Sequence, residues 1–188
     1  QAINYAIDRN LIIESMEAVG PLDSRLEDYP PAHKRLIAVR PVDGRSVREA
    51  AHANLQPLAT RAFRRPATAD EVNRLAALVD RAVAEGDSFE QGMQVALTAV
   101  LVSPHFLFRA EGQSKSAEPG AVQSLSDFEL ASRLSFFLWS SMPDEELMSL
   151  AGQGRLRDHT VLAQQVRRML ANAKSEALVQ NFVTQWLN

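Results

Sequence analysis

The chain has 188 residues, 46% of them apolar and 23% charged, with a formal net charge of −3. This is a globular composition with enough apolar matter for a sizeable core, so disorder along most of the chain is excluded. The longest strongly apolar run, Met93 to Ser103, is far short of the roughly 20 residues a membrane-spanning helix needs. Cysteine is absent, which removes a disulfide framework, thiolate metal sites, a thiol nucleophile and a C-x-x-C-H haem attachment from this sequence.

Residues 1–45 read as an extended, irregular segment with a short strand. Leu11-Ile12-Ile13 is a β-like run, Val19-Gly20-Pro21 and Asp43-Gly44 are turn signals, and Pro30-Pro31 and Pro41 oppose regular structure. From Ser46 the period becomes helical. Four capping boxes, Ser46 to Glu49, Thr68 to Glu71, Ser88 to Gln91 and Ser126 to Glu129, each precede an apolar stripe. The first three predict helices carrying Leu55 and Ala62, then Val72 and Val79, then Met93 and Val100, with Gly86 as a C-terminal cap and Pro104 as a break. Gly112 to Ser124 is small and polar and reads as a linker.

Beyond the linker, Phe128 to Ser140 is apolar nearly all round, which predicts a central buried helix. Pro143-Asp144-Glu145-Glu146 reads as a helix start with acids at the positive end of the dipole. Asp158 and Ser175 cap two further stripes, the last with Leu178, Phe182 and Trp186 on one face, expected to dock on the central helix. The expected fold is therefore mainly α: about seven helices in two packed helical subdomains after a short extended segment. The boundaries are 1–45 for that segment, 46–111 for the first subdomain, 112–124 for the linker and 125–188 for the second subdomain. The chain begins at Gln1 rather than Met, and reads as a piece of a longer protein.

The chemistry on offer is sparse. His33, His52, His105 and His159 stand far apart, and none lies in an H-E-x-x-H pattern, so no metal site is expected. Arg61, Arg64 and Arg65 could form an anion-binding patch, with Arg64 and Arg65 the candidate residues; salt bridging and capping of a helix C-terminus account for the same cluster. Neither half of the chain is basic, so nucleic acid is not an expected partner. His105 follows the break at Pro104 and could act as a general base beside Arg109 and an acid such as Asp144, or cap the broken helix end. Trp139 and Trp186 lie on apolar stripes and read as core.

Four stretches together carry a family resemblance. They are Arg61-Ala-Phe-Arg-Arg-Pro66, Leu101-Val-Ser-Pro-His-Phe-Leu-Phe-Arg109, Leu130 to Glu146, and Asn181-Phe-Val-Thr-Gln-Trp-Leu187. From about Val19 onward the chain resembles a pair of helical domains of unknown function. The pair occurs in large multi-domain proteins of planctomycetes and related bacteria, usually beside c-type cytochrome domains. The resemblance implies an extracytoplasmic (periplasmic or envelope) setting, partner domains in the same parent protein, and haem c elsewhere in that parent, with no cofactor in this piece. It also implies a cysteine just before Arg40-Pro41 and another near Ala50. Here Val39 and Ala50 occupy those places, so apolar packing is expected to replace a bridge.

The function expected from these readings is a non-catalytic helical scaffold or interaction module of a larger haem-linked envelope protein. The alternative is an enzyme domain with a cleft between subdomains using His105, Arg109 and a nearby carboxylate. A third reading is an anion-binding module. Oligomeric state is not legible in the sequence.

Overall fold

The computed structural model describes residues 29–109 and 124–186. Among them the fold is mainly α and holds no strand. The expected strand at Leu11–Ile13, the turn at Val19–Pro21 and the linker up to residue 123 lie outside the described residues.

Residues 29–35 fall in a first unit, Gln1–Arg35. Where an extended chain was expected, helix α1 (Pro31–Leu36) begins directly on Pro31. A proline fits the first helical position because its φ is already helical and its missing N–H would have had no partner there. The Tyr29 ring stacks on His33 one turn later, with centroids 4.3 Å apart.

The second unit, Leu36–Asn188, contains two separate apolar cores. The first is built by α2 (Val47–Phe63), α3 (Ala69–Ala84) and α4 (Phe89–Val102). Each starts at its expected capping box, with both reciprocal hydrogen bonds made. Helix α3 packs on both neighbours, and Leu55, Val72, Val79, Ala96 and Val100 are fully buried between them. The α3–α4 approach is close because Gly92 faces α3: a Cβ there would meet Val79 Cγ1 at 3.0 Å and the Val79 carbonyl oxygen at 3.2 Å. Past α3, Gly86 takes a φ of +104°, which an L side chain rarely adopts, and so lets the chain reverse toward α4.

The segment before α2 is tied down by one buried polar side chain. Asn54 Oδ1 accepts from the Ala38 and Val39 N–H groups, both at 3.0 Å, while Nδ2 donates to the Val39 and Ala50 carbonyls at 2.6 and 2.9 Å. All four hydrogen-bonding positions of the amide are filled. At Val39 and Ala50 the expected apolar packing is present, with Val39 packed on the core and Ala50 fully buried, and the Asn54 clamp joins the two segments as well.

Ser103 ends α4 and caps α5 (Pro104–Leu107), with Pro104 at the first turn. The second core gathers around α6 (Asp127–Trp139), α7 (Glu145–Gly152) and α8 (His159–Leu170). Leu147, Leu156 and Met169 are fully buried, and the Trp139 indole N–H donates to the Met169 carbonyl at 2.9 Å. Two expectations change here. Helix α6 is not buried all round: Ala131, Leu138 and Trp139 face the core, but Phe137 is 54% exposed. The C-terminal helix is also interrupted. After a tight turn at Ala173–Ser175 come α9 (Glu176–Leu178), a π-helical stretch (Val179–Val183) and α10 (Thr184–Trp186). Leu178 packs on the core, and Phe182 meets Phe137 edge-on at 5.7 Å. Trp186 only stacks on Phe182 at 6.0 Å and is 78% exposed. A π-helical turn changes the rotation per residue, so a stripe repeating every four residues no longer keeps to one face.

Candidate functional site

The site begins where α2 ends. Arg64 takes a left-handed φ of 57° as the C-terminal cap, and its N–H bonds back to the Arg61 carbonyl. That turn buries its side chain beneath α5. Its guanidinium donates to the carbonyls of Ala62 and Phe106, both at 3.2 Å, of His105 at 2.8 Å and of Phe108 at 2.9 Å. A four-residue helix leaves most of its carbonyls without helical partners, and one buried arginine collects them. Burial first, and then the charge of Arg109, pull the Arg64 guanidinium down from its usual value.

Arg65 turns the other way and grips Glu71 with two parallel bonds of 2.9 and 2.7 Å. Glu71 also accepts from the Thr68 N–H at 2.8 Å within its capping box. The Arg65 bonds, outweighing burial and aided by Thr68, hold the Glu71 carboxyl down at about 2. His105 does not cap the helix break, which falls to the Ser103 hydroxyl. Its Nε2 lies 3.4 Å from Glu71 Oε1, its ring tilts against Phe63 at 5.4 Å, and its side chain is half exposed.

Between this corner and the first turns of α6 lies an open cleft of about 700 Å³. Phe63, Arg64, Arg65, His105, Phe108 and Arg109 form one side, and α6 contributes Phe128, Glu129, Ser132 and Arg133 to the other. Glu129 is engaged at its capping box, accepting from the Ser126 N–H at 2.7 Å. The Ser132 hydroxyl is buried with no hydrogen-bond partner among the described residues. Phe136 links the two sides: Arg109 sits 4.7 Å and Arg64 5.9 Å from its ring centroid.

The cleft thus brings His105 and Arg109 together, but the acid beside His105 is Glu71, and Asp144 lies elsewhere. Asp144 caps α7 by accepting from the Leu147 N–H at 3.0 Å and binds Arg168 through two bonds of 2.6 and 3.1 Å. Burial would raise its carboxyl, but the bonds from Arg168 and the Leu147 N–H outweigh this and the net shift is downward. Arg64 and Arg65 line the cleft with their terminal donors already committed, one to carbonyls and the other to Glu71. Among the described residues no three His, Asp or Glu side chains converge as a metal set, and no helix is long and apolar enough to cross a membrane. Covalent haem attachment needs cysteine, and the chain has none.

Sequence reasoning missed Phe136 as the shared platform for two arginines, and Asn54 as a clamp. An Asn inside an apolar helical stripe was the available signal for the second. Nothing local signalled the first, because its three residues come from separate segments.

Residues 50–111 match the family described as PSD5, a protein of unknown function (DUF1595), and residues 125–188 match PSD4, a protein of unknown function (DUF1592). The chain therefore contains two adjoining domains of unknown function. No curated protein matches the chain, and no solved structure matches it.

Proposed function

We propose that the chain is a non-catalytic helical interaction module, working within a larger haem-linked protein of the bacterial envelope. One observation carries the module reading: Phe137, Phe182 and Trp186 form a continuous aromatic ladder that is 54%, 45% and 78% exposed. Aromatic rings grouped at a surface mark a place where another protein surface docks. The partner proposed is another domain of the same parent chain, and the haem c and extracytoplasmic location rest on the resemblance to cytochrome-associated domain pairs. The state of the cleft supports a non-catalytic role: Glu71 is locked by Arg65 and Thr68, so it is a poor proton acceptor.

The test uses the full-length parent protein, cut by limited proteolysis between this module and the rest and then sized by gel filtration. The wild-type fragments are expected to co-elute, and a Phe137→Ser, Trp186→Ser variant is expected to separate while keeping its helical circular dichroism. Co-elution unaffected by the substitutions overturns the docking role.

The enzyme reading keeps one observation, the 3.4 Å approach of His105 Nε2 to Glu71 within a cleft that also holds Arg109. In the same full-length protein, His105→Gln would then abolish a turnover without altering elution or melting.

A further inference from the structure

Among the described residues, two cations of the cleft, Arg64 and Arg109, form no ion pair. Arg64 gives its terminal donors to four carbonyls, which satisfies its hydrogen bonds but leaves its charge unbalanced. Arg109 is exposed, lies over Phe136, and has no ion pair or hydrogen bond among the described residues. Glu71 is neutralised by Arg65, and Glu129, whose capping bonds leave its charge in place, shares the cleft lining with Arg64, Arg109 and Arg133, so arginines outnumber carboxylates there. Two guanidinium groups on one ring repel each other, and an oxyanion placed against them relieves that repulsion. A chain of net charge −3 thus holds a cleft with surplus positive charge. The cleft is also apolar in part: Phe63 and Phe108, the latter 65% exposed, line one side, and half-buried Phe128, packed on the second core, lines the other. Its volume of about 700 Å³ is that of a small-molecule site.

We infer that this cleft binds a small organic anion, with a carboxylate or phosphate head against Arg109 and a flat apolar body against the exposed Phe108 ring. Arg64 contributes its field and not a direct contact, since its donors are taken. The inference narrows the anion-binding expectation from Arg64 and Arg65 to Arg109, and it stands independently of the docking role of the aromatic ladder.

Titration calorimetry at low salt tests it, with 2-naphthoate, 2-naphthyl phosphate and the neutral 2-naphthamide as probes. At least one of the two anions is expected to bind saturably, and the tighter one identifies the head group. Arg109→Gln should weaken that binding about tenfold or more, Arg109→Lys should restore part of it, and Arg74→Gln, on the exposed side of α3, should leave it unchanged. Arg109 is exposed and makes one ring contact, so these variants should melt with the wild type. Binding of naphthamide as tight as that of the anions overturns the inference. So does an unchanged affinity in Arg109→Gln, or the absence of saturable binding by either anion.

Discussion

Single side chains in this protein do work that their residue type does not announce. Asn54 is 5% exposed and fills all four of its hydrogen-bonding positions. Asn54→Ala strands the Ala38 and Val39 N–H groups and the Val39 carbonyl, and should lower stability by about 2–4 kcal/mol, read from a urea titration. Glu71 makes a pH prediction. Its carboxyl is held at about 2 in the folded chain, against an ordinary value of 4.5, so the unfolded chain binds more protons in between. Stability from this group is complete above about pH 4.5 and is lost as pH falls toward 2. A Glu71→Gln chain should be less stable at neutral pH, yet lose less stability than wild type on acidification; parallel pH profiles of the melting temperature would refute this. His105, being half exposed, leaves no buried group unpaired when removed. His105→Ala should cost under about 1 kcal/mol, less than a buried capping role would imply.

At the scale of elements, the capping boxes were legible because each writes two reciprocal hydrogen bonds into a four-residue pattern, and all four start helices where expected. Less legible was which face a helix buries when the chain's path changes its rotation. The period-four stripe Leu178, Phe182, Trp186 pointed to one docked face, and the π-helical stretch at Val179–Val183 divides it. Trp186→Ala should therefore cost under about 1 kcal/mol in this chain, whereas Trp139→Ala, which removes a buried ring and its bond to Met169, should cost about 3–5 kcal/mol in the same denaturant titration. The expectation that Trp186 belongs to the core thus gives way to an exposed position. Gly92 marks the tightest element contact. A methyl group there presses on Val79, including its backbone, so Gly92→Ala should destabilise by about 1–3 kcal/mol despite alanine's better helix propensity.

For the whole molecule, a mainly α fold was legible from periodicity, but the cleft was not. Its components, Arg64 after α2, Arg109 after α5 and Phe136 in α6, are distant in sequence and meet only through tertiary packing. The same geometry bears on how the molecule unfolds. The two apolar cores share no residue, and a pair of cation–π contacts on Phe136 links them at the cleft. Such contacts contribute about 0.5–2 kcal/mol each, less than either core gains by burying its own apolar side chains. The cores should therefore melt as separable units, and a single unfolding free energy would not describe the chain. Leu147→Ala empties a fully buried position of the second core and should lower that core's stability by about 2–5 kcal/mol. Calorimetry of this variant should show one transition moving to lower temperature while the transition of the α2–α4 core stays in place. If both shift together, the Phe136 platform couples the halves more strongly than its contacts imply, and Phe136→Ala should then split one transition into two.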